Sequence, residues 1–267
     1  MKHFTVVYNE KNPRVAQIAL KIIKELKSHH FSFKVNDFKD SDFVVVLGGD
    51  GTVLKAVSMM AKKKNKLLPI LSVSLGRLGF LAEIHPQQLI PTLNHIIQSK
   101  KYILDKRALL DVYLHDNKQV LLGQVLNDVV LAKLNLLRVL DIDIQIDRHH
   151  LLYRADGIIL STPTGSTAYN LSAGGPIIDS HKNNFLLTPI CPHLLKWKTK
   201  VLNPKQVVRA SAKPSFGQKV AVVLDGQKQI ELKNNQSIVV KLSKNELSFI
   251  RLKPFSQTAT IKRKFHA

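Results

Sequence analysis

The residues with the clearest chemical potential are Gly-Gly-Asp-Gly at 48–51, directly after the apolar run Phe43–Leu47. The run predicts a buried strand, and the apolar spacing after Thr52 predicts a helix. Ligands of parallel sheets bind where a strand ends and the next helix begins. The start of a helix favours phosphate, which a carboxylate would repel. We therefore expect Asp50 to act on a neighbouring group, such as a hydroxyl to be phosphorylated or a metal ion.

Taken alone, the same four residues could form a tight turn with a helix-capping aspartate. Two common phosphate-binding motifs do not fit. The Walker sequence G-x-x-x-x-G-K-[ST] is absent, and Leu54 stands where G-x-G-x-x-G needs its third glycine. The 48–51 segment is therefore neither a standard P-loop nor a standard dehydrogenase turn.

Two further segments combine glycine with a predicted strand end. Residues 74–81 read SLGRLGFL after the predicted strand Ile70–Val73, and residues 155–170 read ADGIILSTPTGSTAYN. Backbone amides and hydroxyls in such turns suit a polar ligand. Ser166 lacks the G-x-S-x-G setting of a hydrolase nucleophile. These segments indicate a second and a third part of one polar binding site.

The first part of the chain supplies a scaffold in which strand and helix patterns alternate. Strands are predicted at Phe4–Tyr8, Phe31–Val35, Phe43–Leu47 and Ile70–Val73. Helices are predicted at Arg14–Lys27, from Thr52 onward, and from Pro86 towards Ser99. Alternation of this kind is typical of an α/β domain with a mostly parallel sheet.

After about Lys106 the pattern becomes that of a β-rich domain without long helices. Residues 140–147 alternate apolar and polar side chains, as a half-buried antiparallel strand does. Further strands are predicted at Leu109–Leu114, Val125–Leu131, Ile158–Ser161, Val220–Leu224, Ile238–Leu242 and Leu247–Leu252. We predict an α/β domain over residues 1–105 and a β-rich domain over 106–252, with a tail, about 253–267, that could pack back on the first.

Composition narrows the class of protein. The 267 residues carry a net charge of +21, which attracts polyanions such as nucleic acid, polyphosphate or nucleotides. The basic residues form short clusters, and no helix-turn-helix, RNP or zinc pattern supports nucleic-acid binding. One cysteine, Cys191, excludes an internal disulfide framework. With no membrane-length apolar run and no secretion signal, we predict a cytoplasmic protein that does not bind membranes.

Taken together, the motifs resemble those of the NAD kinases. They are, in order, GGDGT at 48–52, LGRLGFL at 75–81, Asn127-Asp128, DGIILSTPTGSTAYNLSAGGPI at 156–177, TPICPH at 188–193 and LDGQ at 224–227. GGDG is shared with diacylglycerol kinases and, more loosely, with phosphofructokinases. The long 156–177 segment is far more specific, and the resemblance covers nearly the whole chain.

The resemblance implies an activity and a set of partners. The activity is transfer of a phosphoryl group from ATP, or from inorganic polyphosphate, to the adenosine 2′-hydroxyl of NAD, which produces NADP. A divalent metal ion, expected to be Mg²⁺, would arrive with the donor, with no metal ligand from the protein predicted. The second domain would be sandwich-like and bind NAD. The protein would be a homodimer or homotetramer with site residues near the subunit interface.

Individual roles follow by position in the motifs. Asp50 would be the catalytic base that accepts the proton of the ribose hydroxyl. The loop for the donor phosphates would comprise Gly48, Gly49, Gly51 and Thr52. Substrate contacts are implied for Gly51, Lys55, Asn127, Asp128, Arg154, Asp156, Thr167, Ala168, Tyr169, Asn170, Leu171, Ser172 and Gln227.

The chain departs from the family pattern in two of these segments. Asp128 stands where the family has glutamate, and Ser74-Leu75-Gly76 stands where it often has Asn-Thr-Gly. Both departures bear on substrate affinity more than on the type of reaction. The sequence leaves open a lipid kinase that shares GGDG, a nucleic-acid-binding protein, and a kinase-derived protein that binds NAD or NADP without turnover.

Overall fold

The computed structural model describes residues 2–62, 67–135, 138–194, 196–214 and 217–265. The chain divides into two compact units. The first comprises Met1–Lys106 together with Leu247–Ala267, and the second comprises Arg107–Glu246.

The first unit is an α/β domain built on a parallel sheet, as predicted. Its strands are β1 (Phe4–Tyr8), β2 (Phe33–Val35), β3 (Phe43–Leu47) and β4 (Ile70–Val73), in the order β2-β1-β3-β4. Its helices are α1 (Pro13–Ser28), α2 (Asp50–Lys62), α3 (Leu89–Asn94) and α5 (Gln257–Phe265). A 3₁₀ turn (Pro86–Gln88) precedes α3, and a π-helical turn (His95–Ser99) follows it. Every residue of β1, β3 and β4 is buried, as in a sheet covered on both faces.

Local sequence signals account for the start of α1. The side chain of Asn12 accepts a hydrogen bond from the Val15 amide at 3.2 Å, and Pro13 occupies the first helical position. The apolar stripe of α1 includes Ile22, Ile23 and Leu26, which are buried in the core of the unit. The helix predicted at Arg14–Lys27 is thus confirmed.

The second unit is a β-sandwich. Its strands are β5 (Ile103–His115), β6 (Gln119–Val125), β7 (Asp128–Lys133), β8 (Leu140–Ile146), β9 (His149–Ala155), β10 (Gly157–Ser161), β11 (Phe185–Ile190), β12 (Lys200–Leu202), β13 (Val207–Lys213), β14 (Val220–Leu224), β15 (Lys228–Leu232) and β16 (Ser237–Arg251). One sheet has the order β12-β11-β10-β7-β14-β15, and the other contains β16, β13, β8 and β9 with a hairpin of β5 and β6. Side chains of both sheets form one hydrophobic core. Among the described residues of this unit, helical structure is confined to a 3₁₀ turn (Thr164–Thr167) and α4 (Tyr169–Ser172).

The second compact unit ends at Glu246, whereas the second domain was predicted to end at residue 252. Two strands were predicted at Ile238–Leu242 and Leu247–Leu252, whereas β16 is a single strand of 15 residues. Its first part pairs antiparallel with β13, and its last part runs parallel to β4, with Phe249 opposite Ile70. The segment from Leu247 onward therefore belongs to the first unit.

The predicted strand Val125–Leu131 is also wrong, because the chain bends within it. Strand β6 ends at Val125 and β7 begins at Asp128. The two residues between them, Leu126 and Asn127, are held by long-range hydrogen bonds that the local sequence pattern does not reveal. Strands β6, β9, β11, β12, β13 and β15 and helix α5 were not predicted.

None of the helices in the described ranges combines the length and apolarity that crossing a bilayer requires.

We expect Phe4→Ala to lower the free energy of unfolding by about 3–5 kcal/mol, since it deletes a buried aromatic ring. Phe4 is fully buried, and its ring centroid lies 5.2 Å from that of Phe43 and 5.6 Å from that of Phe33. Urea unfolding followed by circular dichroism measures the loss. The control Leu20→Ala, on the exposed face of α1, should change stability by no more than about 0.5 kcal/mol. Equal losses in both variants would contradict this account of the core.

Candidate active site

The Gly48–Gly51 turn directly follows β3 and lies at the carboxyl end of the parallel sheet. The Gly48 amide donates to the Val73 carbonyl at 2.9 Å, which ties the turn to β4. A Cβ atom on Gly48 would collide with the Thr52 side chain, so a larger residue does not fit without a shift. Gly49 and Gly51 are exposed, and a Cβ atom on either would enter open space. The turn therefore leaves room for a ligand against its main chain.

The carboxylate of Asp50, at the start of α2, is oriented by the segment that follows β4. The Phe80 amide donates to one carboxylate oxygen at 2.9 Å, and the Leu81 amide donates to the other at 3.1 Å. A Cβ atom on Gly79 would collide with this carboxylate. Each oxygen keeps a second lone pair with which it can accept from a ligand. The structure thus brings together the GGDG and LGRLGFL motifs.

Two more residues near this turn have defined positions. Ser74 is buried, and its hydroxyl donates to the carbonyls of Gly76 and Arg77 at 3.2 and 3.0 Å. It therefore shapes the loop that leads to Phe80. Lys55 is half-buried on α2, and its predicted ligand contact stays a prediction.

In the second unit, Asp225 fixes the backbone that carries Asn127 and Asp128. Its buried carboxylate accepts hydrogen bonds from the amides of Leu126, Asn127 and Asp128 at 2.8, 2.8 and 3.0 Å. The Asp225 amide in turn donates to the Asp128 carbonyl at 2.9 Å. Asp225 has a φ of +48°, a left-handed conformation that aspartate tolerates better than most residues.

The LDGQ motif predicted Gln227 as a site residue, whereas Asp225 of the same motif was not predicted. The Asp-Gly pair signalled a hairpin turn, which the structure places between β14 and β15. Gln227 is exposed just beyond that turn. The Asp225 carboxylate binds backbone amides that lie almost a hundred positions away in the sequence, so a local sequence pattern does not reveal this role.

The Thr162–Thr167 segment packs against the same backbone. The Thr162 amide donates to the Asn127 carbonyl at 2.9 Å, and the Thr162 hydroxyl donates to the Leu126 carbonyl at 2.5 Å. A Cβ atom on Gly165 would collide with the Asn127 main chain. The structure therefore joins Asn127, Asp128 and the start of the TPTGSTAY segment in one place.

Asn170 was predicted to contact the substrate, and the structure corrects this prediction. Its side chain is fully buried, and its amide group donates to the carbonyls of Ser166 and Pro176, each at 3.0 Å. Its side-chain oxygen accepts from the Thr188 hydroxyl at 2.6 Å. Asn170 fastens this segment to Thr188 of the TPICPH motif and has no surface left for a ligand.

The neighbours of Asn170 are more accessible. Tyr169 is 44% exposed and Ser172 is exposed, whereas Thr167, Ala168 and Leu171 are partly exposed. These five positions stay predictions as substrate contacts. An exposed tyrosine ring at the start of α4 is available for stacking on a planar ligand.

Arg154 and Asp156 each pair with a different strand neighbour. Arg154 Nε lies 2.9 Å from the Asp141 carboxylate on β8, and Asp156 lies 2.6 Å from Lys133 Nζ on β7. Both pairs are partly exposed, so their predicted contacts with substrate would require these ion pairs to open or to be shared.

Burial makes Asp128 and Asp225 unusual carboxylates. Desolvation, together with the smaller effect of the neighbouring Asp225 charge, raises the pKa of Asp128 from 3.8 to about 7. Desolvation also raises the pKa of Asp225 to about 6, against the opposing effect of its three backbone N–H donors. The two carboxyl groups therefore bind protons at pH values where exposed aspartates are fully ionised.

This pair should make stability depend on pH. Because the folded-state pKa values exceed 3.8, the contribution of the pair is full below about pH 4 and is lost as pH rises through 6 and 7. The free energy of unfolding of the wild type should fall by about 2–4 kcal/mol between pH 5 and 8. We expect this fall to be absent in Asp128→Asn, as measured by urea unfolding at several pH values. Asp147→Asn, at an exposed turn, is the control and should keep the wild-type slope. An unchanged slope in Asp128→Asn would refute the assignment.

Comparisons with known proteins agree with the motifs. The family profile described as ATP-NAD kinase N-terminal domain matches residues 32–102, and the ATP-NAD kinase C-terminal domain matches residues 126–252. Among sequence relatives, an NAD kinase of Methanothermobacter thermautotrophicus is 37% identical over 80% of this chain and 72% of the relative. An NAD kinase of Moorella thermoacetica is 34% identical over 94% of this chain and 85% of the relative.

Solved structures share the fold. A yeast NADH kinase complexed with NADH matches with a TM-score of 0.87 and 24% identity, covering 100% of this chain and 88% of the other. An NAD kinase from Archaeoglobus fulgidus in complex with ATP matches with a TM-score of 0.75 and 24% identity, covering 99% and 97%. The profile matches and the identities to the sequence relatives show that the chain belongs to the NAD kinase family.

Proposed function

We propose that this protein transfers a phosphoryl group from ATP to the adenosine 2′-hydroxyl of NAD, producing NADP. The observation that carries the proposal is the Asp50 carboxylate, oriented by two backbone amides at the carboxyl end of a parallel sheet. It lies in a turn whose exposed glycines leave the main chain open to a ligand. Family membership supports the same reaction.

Phosphoryl transfer requires that the protein position the two substrates and supply a general base. Asp50 accepts a hydrogen bond from the ribose 2′-hydroxyl and takes its proton as the phosphoryl group is transferred. The backbone of Gly49 and Gly51, at the start of the 13-residue helix α2, accommodates donor phosphates near its positive end. The Phe80 and Leu81 amides hold the carboxylate still during these steps.

A divalent cation, which we take to be Mg²⁺, would enter with the donor. Mg²⁺ in kinase sites is usually held by one or two carboxylates, water and substrate phosphates. This site fits such an arrangement, because the open glycine turn beside Asp50 leaves room for donor phosphates, water and an ion that the phosphates hold. When bound, the ion neutralises charge on the phosphates.

The NAD contacts are proposed for the second unit. Asn127 and Asp128 would bind hydroxyl or adenine groups, on a backbone that Asp225 holds in place. Tyr169 would stack on a ring, since nearly half of its surface is accessible. Inorganic polyphosphate is the alternative donor, which a direct assay of both donors distinguishes.

We further propose a cytoplasmic homodimer or homotetramer. An exposed free thiol at Cys191 suits a reducing compartment. Exposed apolar side chains of the second unit, such as Val120, Leu121, Leu152 and Val201, are surface that subunit contacts would bury. Light scattering of the purified protein measures the assembly.

The test of the reaction is an Asp50→Asn variant beside the wild type. Each is incubated with NAD, Mg²⁺ and either ATP or polyphosphate, and NADP is read with an NADP-specific dehydrogenase. We expect wild-type NADP formation and a kcat lowered by about 10²–10⁴-fold in the variant, since loss of a general base costs that much. NAD binding and the melting temperature check that the variant is folded. If the folded wild-type protein formed no NADP with either donor, the proposal would be wrong.

The close packing of Gly79 on Asp50 gives a second test. Gly79→Ala should lower kcat by at least about 10-fold, because the added Cβ must displace either the carboxylate or the Phe80–Leu81 backbone. Gly76→Ala on the same loop is the matched control, since its Cβ would meet no atom within 4 Å. Equal activity in the two variants would show that the Asp50 contact does not matter to the reaction.

A further inference from the structure

A buried cation lies behind the segment that orients Asp50. Arg251, the last residue of β16, is only 1% exposed. Its Nε lies 3.1 Å from the Asp105 carboxylate and its Nη1 lies 2.8 Å from the Glu83 carboxylate. The rings of Phe249 and Phe255 each lie 5.0 Å from the guanidinium. A charge so deeply buried is tolerated only where it is paired and hydrogen-bonded.

Glu83 links this cation to the backbone on which the Asp50 contact depends. Its second oxygen accepts from the Leu252 amide at 2.9 Å, so the carboxylate is tied to two consecutive residues at the end of β16. The Glu83 amide donates to the Ser72 carbonyl at 3.0 Å, which ties the same residue to β4. Glu83 thus joins β4 and β16 through its main chain and its side chain.

Leu81 is held by the same group of residues. Its carbonyl accepts from the Ser72 hydroxyl at 2.5 Å and lies 3.4 Å from Arg251 Nη1. Its amide donates to Asp50 at 3.1 Å. The two peptide groups that flank Leu81 are therefore fixed, one by the buried cation and serine and the other by the carboxylate of Asp50.

We infer that Glu83 and Arg251 are positioning residues for Asp50. Their buried ion pair holds residues 81–83 in place, so that the Phe80 and Leu81 amides stay directed at the carboxylate. The inference rests on the proposed function in so far as Asp50 is the base. Neither residue touches the carboxylate of Asp50, and each acts through the backbone between them.

The choice of an ion pair fits a positioning role better than a purely stabilising one. A buried ion pair contributes little net stability compared with apolar residues of the same volume. The planar guanidinium with its fixed donors, however, imposes direction on the groups that it binds. Here Nε and Nη1 fix Asp105 and Glu83 at defined angles.

The test compares two isosteric variants on the same guanidinium. In Glu83→Gln the amide nitrogen must face either Arg251 Nη1 or the Leu252 amide, so that one donor opposes another. In Asp105→Asn the Nε contact is altered, whereas the Glu83 contacts with Arg251, Leu252 and Ser72 remain. Both variants perturb the buried charge, but only the first perturbs residues 81–83 directly.

We expect Glu83→Gln to lower kcat by about 10–100-fold, the loss that a misplacement of about 1 Å produces. The KM for NAD should stay within about 2-fold, because most of the proposed NAD contacts lie in the second unit. Asp105→Asn should keep kcat within about 3-fold of the wild type, even where its melting temperature falls as far as that of Glu83→Gln. If Glu83→Gln does not fold, Arg251→Lys keeps the buried charge with fewer donors and tests the same tie.

Hydrogen exchange gives a readout that needs no activity. The Phe80 and Leu81 amides should exchange faster in Glu83→Gln than in the wild type, and at the wild-type rate in Asp105→Asn, measured by NMR. Wild-type kcat and wild-type exchange in Glu83→Gln would overturn the inference, as would parallel losses of kcat and stability in both variants. Wild-type protein that makes no NADP would refute the proposed function, and the exchange rates would still decide the positioning.

Discussion

Carboxylates that accept backbone N–H groups organise the candidate residues within each unit. In the first unit the backbone positions the carboxylate, because the Phe80 and Leu81 amides orient Asp50. In the second unit the carboxylate positions the backbone, because Asp225 gathers three successive amides. Asp225 is buried and serves the fold, whereas Asp50 is only partly buried and keeps lone pairs for a ligand. The same interaction thus supports two different roles.

The glycines of the motifs fall into two groups by the space around them. At Gly48, Gly79, Gly165 and Gly175 a Cβ atom would collide with Thr52, Asp50, Asn127 and Asn170 respectively, so that close packing requires glycine there. At Gly49 and Gly51 a Cβ atom would meet nothing, and the space is open. The first group fixes the residues that shape the site. The second leaves the main chain accessible where phosphates would lie.

Local pattern was sufficient where local physics decides the structure. The buried strands β1, β3 and β4 and the Asn12 cap follow from β-branched runs and from one side-chain acceptor at a helix start. For β16 the sequence pattern predicted two strands, because exposed residues separate its two apolar runs. The two runs nevertheless form one strand, which pairs with β13 in its first part and with β4 in its last part. Asp225 and Asn170 were missed or misassigned because their partners are distant or buried, and residue type alone does not show whether a polar side chain faces a ligand.

The replacement of glutamate by aspartate at position 128 gains a physical meaning from its surroundings. Asp128 is 6% exposed and lies near Asp225, so an ionised Asp128 carboxylate is poorly solvated in the free protein. A ligand hydroxyl that donates to the ionised carboxylate would supply part of the missing solvation. Because the free protein holds a proton there more readily than an exposed aspartate does, such binding would release that proton near neutral pH. On the proposed contact of Asp128 with the substrate, substrate affinity and protonation would be coupled at this position.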